Sequence, residues 1–415
     1  MAVFARGTSV GELAQQYFPG GKMAVPEDFP GYASAKRTRE FIEQGVETIY
    51  EATFIYENTL VAVDILHKEN GKWHLYEVKS TNSAKDVHVP DVAVQYYVVT
   101  GCGIDLADAR VMHFNRYYVR RGQLDVKQLF TSTGVLKKVL PLQDEINHNI
   151  PLLLKVLEGG EPVVETGNHC NSPYKCDFTN YCLSLHPQEA EPEEILSNVP
   201  EIREEDVRDY VKRVEYPICH LDFETIMPGV PMFDESRPYQ QIPFQFSIHF
   251  QKSKDSNIQH FEYLAPCDEN VDPRPELIKQ MIEKTKHAKT IFVYNISFER
   301  TRINEMIKDF PFYGGELQSI NERLMDLIIP FRRKYYRTET MQGSSSIKKV
   351  MPALCPDLSY GELEISDGMA AGNAFMNMYS CNDENIIQNT RQQLLKYCHL
   401  DTLAMVRILE VLEEV

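Results

Sequence analysis

Apolar and polar residues alternate along residues 216–226, YPICHLDFETI, and a period of two predicts a buried β-strand. In a strand, every second side chain points to the same face, so Asp222 and Glu224 project together. An ionised carboxylate removed from water is costly unless it is paired, hydrogen-bonded or bound to a metal. The pattern therefore predicts a compensating partner for these two acids.

Two further segments place acidic residues on apolar faces. Residues 289–307, KTIFVYNISFERTRINEMI, predict a strand and then a helix that begins near Ser297, with Glu299 at the end of an inward stripe. Residues 390–414 repeat apolar positions at intervals of three and four, which predicts a long helix. On that helix Tyr397 and Asp401 are one turn apart and share a face.

The N-terminal half contains a second acidic pattern, in NTLVAVDILHKENGKWHLYEVKSTNS. Two apolar strands flank KENGKW, whose Asn-Gly pair is a hairpin turn signal. We expect Asp64 to close the first strand and Glu77 to share a face of the second with Lys79. The following DVHVPDVAVQYYVVTG predicts a helix, which carries Gln95.

The length of the chain and its local composition predict how it divides into domains. Its 415 residues are too many for one ordinary core and predict two or three domains. The acidic stretch HPQEAEPEEILSNVPEIREEDVRDY has little periodicity at first and then becomes helical, which is typical of a connector. We therefore predict domains over 1–185 and 215–415, joined by a linker over 186–214.

The net charge and the distribution of apolar residues indicate the cellular location and the partners to expect. No stretch approaches the roughly 20 apolar residues of a membrane helix, and MAVFARGTSVGELAQQ lacks the core of a signal peptide, so we expect a cytoplasmic protein and no membrane partner. A net charge of −17 argues mildly against nonspecific nucleic-acid binding. Three segments combine basic residues with aromatic or apolar ones: RYYVRRGQ, GVLKKVL and PFRRKYYRTE. Each is interpreted either as a nucleic-acid contact or as a solvated face.

The C-terminal carboxylates suit a two-metal site. Four carboxylates from strands and helices can surround two divalent cations about 4 Å apart, which activate a water and stabilise the leaving oxygen of a phosphodiester. Oxygen ligands suit Mg²⁺ or Mn²⁺. The metal ligands would be Asp222, Glu224, Glu299 and Asp401, and Tyr397 could orient the attacking water.

The motifs HLDFET, YNISFER and YCHLD together resemble the three motifs of the DnaQ-like, or DEDD, 3'-to-5' exonucleases, which have an RNase H-like fold. The spacing of Tyr397 and Asp401 resembles the subclass with tyrosine in the third motif. Glu299 stands where the family usually has Asp, which puts the rate and the metal preference in question. Asp326, in RLMDLI, matches a position outside the metal set and is interpreted as structural.

Asp64, the hairpin, Glu77 with Lys79, and Gln95 resemble the PD-(D/E)XK nucleases of the RecB-like branch, which have a restriction-endonuclease-like fold. The resemblance implies that Asp64 and Glu77 bind a metal, that Lys79 orients a water or offsets charge on phosphate, and that Gln95 belongs to a QxxxY motif. The tyrosine of that motif does not match, because Val99 occupies its position.

The nine cysteines predict reduced thiols or a metal site rather than disulfides. Some RecB-like nucleases bind an iron-sulfur cluster through four cysteines, and Cys170, Cys176 and Cys182 lie where this resemblance implies three of them. The fourth has no counterpart, since no cysteine precedes Cys102. The chain then starts inside the fold, or another ligand such as His169 binds iron or zinc, or the site is empty.

The order of these parts resembles a bacterial family of uncharacterised proteins that pairs a RecB-like with a DnaQ-like domain. We expect an α/β protein and a metal-dependent nuclease whose C-terminal site shortens single-stranded DNA or RNA from the 3' end and whose N-terminal site acts on DNA. Two alternatives remain: a nucleic-acid-binding or scaffold protein with one or both sites inactive, and a nucleotide or cyclic-nucleotide phosphodiesterase. Protein partners and oligomeric state are not predicted.

Overall fold

The protein forms two units, each with its own sheet. The computed structural model describes residues 10–25, 29–185, 199–361 and 363–415. Its contacts divide the chain into Met1–Pro192 with Gly229–Tyr239 and Glu193–Pro228 with Gln240–Val415. The division lies near the predicted boundary, but a segment between two strands of the second unit belongs to the first. In that segment the backbone carbonyl of Pro231 accepts a hydrogen bond of 3.1 Å from Arg120.

The first unit contains a mixed six-stranded sheet in the order β1-β2-β3-β4-β5-β6. Its strands are β1 Lys22–Met23, β2 Thr48–Tyr56, β3 Thr59–Glu69, β4 Lys72–Val78, β5 Leu106–Phe114 and β6 Phe130–Gly134. Its helices are α1 over residues 10–15, α2 Tyr32–Glu43, α3 Val89–Gly101, α4 Val126–Leu129, α5 Leu136–Val139, α6 Gln143–Leu157 and α7 Thr179–Leu185. The pairs β1–β2 and β4–β5 are parallel and the others antiparallel.

The predicted hairpin is confirmed. Asn70 and Gly71 have φ angles of +49° and +79°, the left-handed conformation that a tight two-residue turn needs and that Asn and Gly tolerate. The prediction that Asp64 closes the first strand is wrong. The strand β3 continues to Glu69, because the residues after Asp64 pair with β4 as far as the turn.

The helix α3 covers one face of the first sheet. Trp73 and Leu75 of β4 lie on that face and pack in one core with Val92, Ala93 and Val98 of α3. Side chains of the other face form a second core, with Tyr50, Ile65, Tyr76, Met112 and Phe114 among its members. Glu77 continues the series of Trp73 and Leu75, so its carboxylate lies beneath α3 and is buried.

The second unit contains a mixed five-stranded sheet in the order β10-β9-β8-β11-β12 and a separate two-stranded sheet of β13 and β7. The strands are β7 Glu201–Ile202, β8 Ile218–Ile226, β9 Ile242–Gln251, β10 Ile258–Leu264, β11 Thr290–Val293, β12 Leu324–Asp326 and β13 Tyr336–Arg337. The helices are α8 Glu204–Val211, α9 Arg274–Thr285, α10 Ile296–Asp309, α11 Gly314–Arg323, α12 Ile329–Arg332, α13 Ile347–Leu354, α14 Gly368–Met378 and α15 Glu384–Glu413. The pairs β8–β11 and β11–β12 are parallel, and β8–β9 and β9–β10 are antiparallel.

The alternation predicted for β8 separates an apolar face from an acidic one. Cys219, Leu221 and Phe223 pack in a core with residues of α9, α10 and α11, such as Leu277 and Ile303. The intervening side chains project to the opposite face. The helices α14 and α15 contact β8, and α15 also contacts β9. The acidic face is therefore covered by helices rather than left to solvent.

The predicted linker lies partly outside the described residues, which omit 186–198. Its later part forms β7 and α8, and Val207 and Tyr210 of α8 are buried in a core of the second unit. This part is therefore integrated into the second unit. Both units combine mixed sheets with helices, which is the α/β class that the sequence predicts. Among the described residues, no helix has the length and apolar character needed to cross a membrane.

Candidate functional site

The acidic face of β8 carries the first part of the candidate site. Oxygen atoms of Asp222 and Glu224 and the sulfur of Cys398 all lie within 4.8 Å of one another. Glu224 is 6% exposed, and Asp222 is half-buried. The shared face that the sequence predicts for the two acids thus brings their carboxylates together.

The long helix α15 contributes Tyr397 and Asp401, both buried. Asp383 begins this helix, because its side chain accepts a hydrogen bond of 2.9 Å from the backbone N–H of Asn385. Asp401 accepts hydrogen bonds from the hydroxyls of Tyr360 and Tyr397. The predicted helix is confirmed, and it carries Asp401 into the electrostatic range of Asp222 and Glu224.

Glu299 reaches the site from the first turn of α10. The buried residues of α10 are Glu299, Ile303 and Met306, which is the inward stripe predicted from the sequence. Asn295 precedes the helix with φ +79°, and the Asp326 carboxylate accepts a hydrogen bond of 3.0 Å from its backbone N–H. Asp326 therefore supports the turn that presents Glu299.

One oxygen of the buried Glu299 carboxylate lacks a hydrogen-bond partner among the described residues. The Glu299 side chain is 2% exposed, and its Oε2 atom has no hydrogen-bond partner among the described residues. A buried carboxylate oxygen without a partner is unfavourable unless a cation or an unseen donor compensates it. This oxygen is the observation that most directly favours a cation at the site.

Burial raises the pKa of every acid in the group, and repulsion from neighbouring carboxylates raises it further for Asp222, Glu224 and Glu299. Burial, with repulsion from Asp222, raises the pKa of Glu299 to about 9. Burial raises the pKa of Asp401 to about 6, against the opposing effect of the Tyr360 hydroxyl. Burial first, and neighbouring carboxylates second, raise the pKa of Asp222 and of Glu224 well above the ordinary range. Divalent cations would offset this repulsion.

The donor set fits hard cations. Four carboxylates supply oxygen atoms, which Mg²⁺ and Mn²⁺ prefer. Cys398 is close, but burial raises the pKa of its thiol well above the usual value, so it remains the neutral thiol rather than the thiolate that binds metals. Asp222 and Glu224 are therefore close enough to share one ion. Glu299 and Asp401 lie outside that group and interact electrostatically with Asp222.

Three neighbours of these carboxylates were not predicted from the sequence. Tyr360 donates to Asp401, Lys348 places positive charge near Glu224 and Asp401, and Gly368 begins α14 beside Glu224. A Cβ atom on Gly368 would lie 3.2 Å from Glu224 Oε2. Tyr360 and Gly368 lie outside any motif. Lys348 belongs to SSSIKKVMPAL, where no spacing relates it to the acids.

The predicted residues of the first unit also come together. Asp64 Oδ2 accepts a hydrogen bond of 2.6 Å from the backbone N–H of Val78. Glu77 accepts hydrogen bonds of 2.6 Å from the Lys79 ammonium and 2.6 Å from the Gln95 amide, one at each oxygen. Lys79 also pairs with Asp91, another residue that the sequence analysis missed.

Glu51 adds a third carboxylate to Asp64 and Glu77. The strand register places Glu51 opposite Asp64, because their neighbours pair as Tyr50 with Ile65 and Ala52 with Val63. Burial raises the pKa of Asp64 to about 7, and burial and Asp64 raise the pKa of Glu77. Glu51, inside the apolar run TIYEATFIY, could have been found by the same criterion as Asp222.

The three cysteines predicted to bind a metal are not gathered at one point. Cys170 is buried, Cys176 is exposed and Cys182 is half-buried. Two groups of at least three potential ligands lie within 4.8 Å of one another in the described part of the chain, and neither contains these cysteines or His169. These residues are therefore not arranged around a single ion such as zinc, whereas the iron-sulfur cluster, whose ligand sulfurs stand farther apart, stays a prediction.

The chain is similar to proteins without an assigned function. Residues 219–346, from β8 to the start of α13, match a family described as a domain of unknown function, DUF2779. An uncharacterised protein of Mycoplasma pneumoniae is 29% identical over 206 residues, which cover 46% of this chain and 31% of the relative. An uncharacterised protein of Mycoplasma genitalium is 26% identical over 211 residues, covering 47% and 32%.

A relative from Ureaplasma parvum, also uncharacterised, is 25% identical over 226 residues and is covered to 32% of its length. The chain therefore spans about a third of the length of these curated relatives. No solved structure matches the chain. The family match includes Asp222, Glu224 and Glu299 but ends before Tyr397 and Asp401.

Proposed function

We propose that the second unit is a metal-dependent nuclease of the DnaQ-like type that removes nucleotides from the 3' ends of single-stranded nucleic acid. The observation that carries the proposal is the set of four carboxylates with raised pKa values, Asp222, Glu224, Glu299 and Asp401, together with the unpartnered buried oxygen of Glu299. The motifs at Asp222, Glu299 and Asp401 add the resemblance to DEDD exonucleases, and the 3'-to-5' direction rests on that resemblance alone.

The site's own residues would bind and position the reactants. Bound Mg²⁺ or Mn²⁺ would activate a water and stabilise the leaving oxygen of the phosphodiester. Asp222, Glu224, Glu299 and Asp401 would fix the cations, and the hydroxyls of Tyr360 and Tyr397 hold Asp401 in place. Burial and Asp401 raise the pKa of Tyr397, so its hydroxyl stays protonated. It donates that proton to Asp401, and its oxygen would orient the attacking water by accepting a hydrogen bond from it.

We further propose that the first unit holds a second nuclease site, of the RecB-like PD-(D/E)XK type, which acts on DNA. Asp64 and Glu77 would bind a metal there, with Glu51 adjacent. The Lys79 ammonium, 2.6 Å from Glu77, would offset charge that develops on phosphate. Gln95 orients Glu77 by its hydrogen bond, which leaves the other Glu77 oxygen to Lys79.

The experiment for the second unit incubates 5'-end-labelled single-stranded DNA and RNA with the full chain and Mg²⁺ or Mn²⁺. We expect a ladder of stepwise shortened products that Asp222→Asn reduces by at least about 100-fold, as loss of a metal-site residue does. Glu316→Gln, at an exposed residue of α11, is the matched control and should leave the rate unchanged.

Two other outcomes would overturn the proposal. Binding of the labelled DNA or RNA by the protein without cleavage would indicate a nucleic-acid-binding protein with an inactive site. Hydrolysis of free nucleotides or cyclic nucleotides, with intact polymers, would indicate a phosphodiesterase that uses the same metal chemistry. In both cases Asp222→Asn should be compared with Glu316→Gln, so that a change in folding is separated from a change in chemistry.

A further inference from the structure

Three histidines from three elements form a cluster in the second unit. His249 lies on β9, His260 on β10 and His399 on α15, and β9 and β10 pair with His249 opposite His260. One nitrogen of each ring lies within 4.8 Å of the other two. The ring centroids are separated by 4.6, 4.9 and 4.3 Å.

Hydroxyl groups hold the rings of His249 and His260 in place, and His399 Nδ1 lies 3.2 Å from His260 Nε2. His249 Nδ1 lies 2.9 Å from Thr402 Oγ1, and His260 Nε2 lies 2.9 Å from Ser247 Oγ. Ser247 and Thr402 are also hydrogen-bonded to each other, at 2.7 Å. Hydrogen bonds of this kind orient the imidazoles of metal sites and select the nitrogen that faces the ion.

Burial favours the form of imidazole that binds metals. His249 is 4% exposed, whereas His260 and His399 are half-buried and leave one side of the cluster accessible. Burial, with repulsion between the rings, lowers the pKa of His249 to about 3 and of His260 to about 4. Neutral imidazole is the metal ligand, and a half-exposed edge gives an ion and a water a path to the cluster.

We propose that His249, His260 and His399 bind one transition-metal ion, of which Zn²⁺ fits best, with water at the remaining position. Zinc binds imidazole nitrogen at about 2.0–2.1 Å, so the nitrogens of a tetrahedral site stand roughly 3.4 Å apart. An upper limit of 4.8 Å between the present nitrogens leaves only small side-chain rotations to reach that geometry.

The nitrogen donors separate this site from the carboxylate site. Imidazole selects Zn²⁺, Fe²⁺, Ni²⁺ or Cu²⁺, whereas carboxylates select Mg²⁺ or Mn²⁺. Asp222 lies opposite Ser247 in the sheet, and Ser247 bonds to His260, so the two sites are neighbours on one face. An ion bound by the three histidines would join β9 and β10 to α15, the helix that carries Asp401. The proposal of this site does not depend on the nuclease proposal.

The test measures zinc retained by the metal-free full chain after equilibrium dialysis at micromolar free Zn²⁺, with Mg²⁺ in millimolar excess to occupy the carboxylate sites. We expect one equivalent of bound zinc per chain. His260→Asn and His399→Asn should each weaken the affinity for zinc by at least about 10-fold, because each removes one of three ligands. Substitution of Co²⁺ should give the visible absorption of a four-coordinate nitrogen site, and this absorption should disappear in the same variants. Both substituted residues are half-buried, so these variants avoid the fold risk of changing His249.

Three controls make the result specific. His287→Asn changes an exposed histidine of the same unit and should leave zinc binding intact. Asp222→Asn removes a carboxylate ligand and should also leave it intact, as should replacement of Cys170, Cys176 and Cys182 by Ser. No bound zinc, or zinc binding that persists in His260→Asn and His399→Asn, would overturn the proposal, whatever the nuclease assay gives.

Discussion

At the scale of single residues, Glu299 decides much of the proposed chemistry. Its side chain is one methylene longer than the Asp usual in the DEDD exonucleases that the motifs resemble, and one of its oxygens is buried without a partner among the described residues. An extra methylene moves the carboxylate with respect to Asp222. The metal preference of the site should therefore depend on the length of this side chain.

We expect Glu299→Asp to keep nuclease activity but to change the ratio of the rates with Mn²⁺ and Mg²⁺ by roughly 10-fold, since Mg²⁺ demands stricter geometry. Glu299→Gln should lose activity with both ions. The measurement compares initial rates of strand shortening at saturating concentrations of each ion. Equal loss in Glu299→Asp and Glu299→Gln would mean that side-chain length does not position the cation.

The raised pKa values predict an effect of pH on stability. Glu299 has a pKa of about 9 in the fold against 4.5 ordinarily, and Asp401 about 6 against 3.8. Between these values the folded protein holds protons that the unfolded chain has lost. The free energy of unfolding of the metal-free protein should therefore fall as pH rises from about 4 to about 9, after allowance for other groups.

Mn²⁺ should oppose that loss, because protons compete with the cation for the same oxygens. We expect Mn²⁺ to raise the thermal unfolding temperature more at pH 8 than at pH 6, and Asp222→Asn to reduce the difference. Differential scanning calorimetry with and without Mn²⁺ measures both effects. A stabilisation independent of pH would indicate that Mn²⁺ binds elsewhere.

At the scale of elements, the sequence predicted what local periodicity encodes. The alternation of apolar and polar residues in β8 predicted that Asp222 and Glu224 share a face. The apolar stripe of α10 predicted that Glu299 is buried. Local patterns do not encode which distant elements meet. Tyr360 was therefore missed, since its contact with Asp401 joins residues that are 41 positions apart. The end of β3 was predicted too early because Asp64, a polar residue, interrupts the apolar run, although β3 pairs with its neighbours on both sides of Asp64 and continues to Glu69.

Close packing of α14 on β8 gives a prediction for this contact. A Cβ atom on Gly372 would lie 2.7 Å from the carbonyl oxygen of Thr225, which is backbone and cannot move aside easily. Gly372→Ala should therefore destabilise the fold by about 1–3 kcal/mol, measured by chemical denaturation. Gly315→Ala in α11 is the matched control, because nothing lies within 4 Å of its added Cβ. A neutral Gly372→Ala would mean that α14 shifts without cost.

At the scale of the whole molecule, two sets of buried carboxylates occur in separate units. If each is a nuclease site, they can be inactivated independently. Cleavage of circular single-stranded DNA, which has no 3' end, should be lost in Glu77→Gln and retained in Asp222→Asn. Shortening of linear strands should show the opposite dependence, with at least about a 100-fold loss in Asp222→Asn.

Loss of both activities in either variant would contradict independent sites. Retention of circular cleavage in Glu77→Gln would remove the first unit's proposed role, whereas the role of the second unit would stand. Glu77 accepts bonds from Lys79 and Gln95, so Gln95→Ala is a useful companion variant that disturbs Glu77 without replacing it. The thermal unfolding of each variant should be recorded beside its activity.

The central claim is that acids distant in sequence hold divalent cations together. Crystals of the protein grown with Mn²⁺ test it directly through anomalous scattering near Asp222, Glu224, Glu299 and Asp401. We expect two peaks about 4 Å apart among these carboxylates. Well-ordered carboxylates without an anomalous peak at millimolar Mn²⁺ would contradict it.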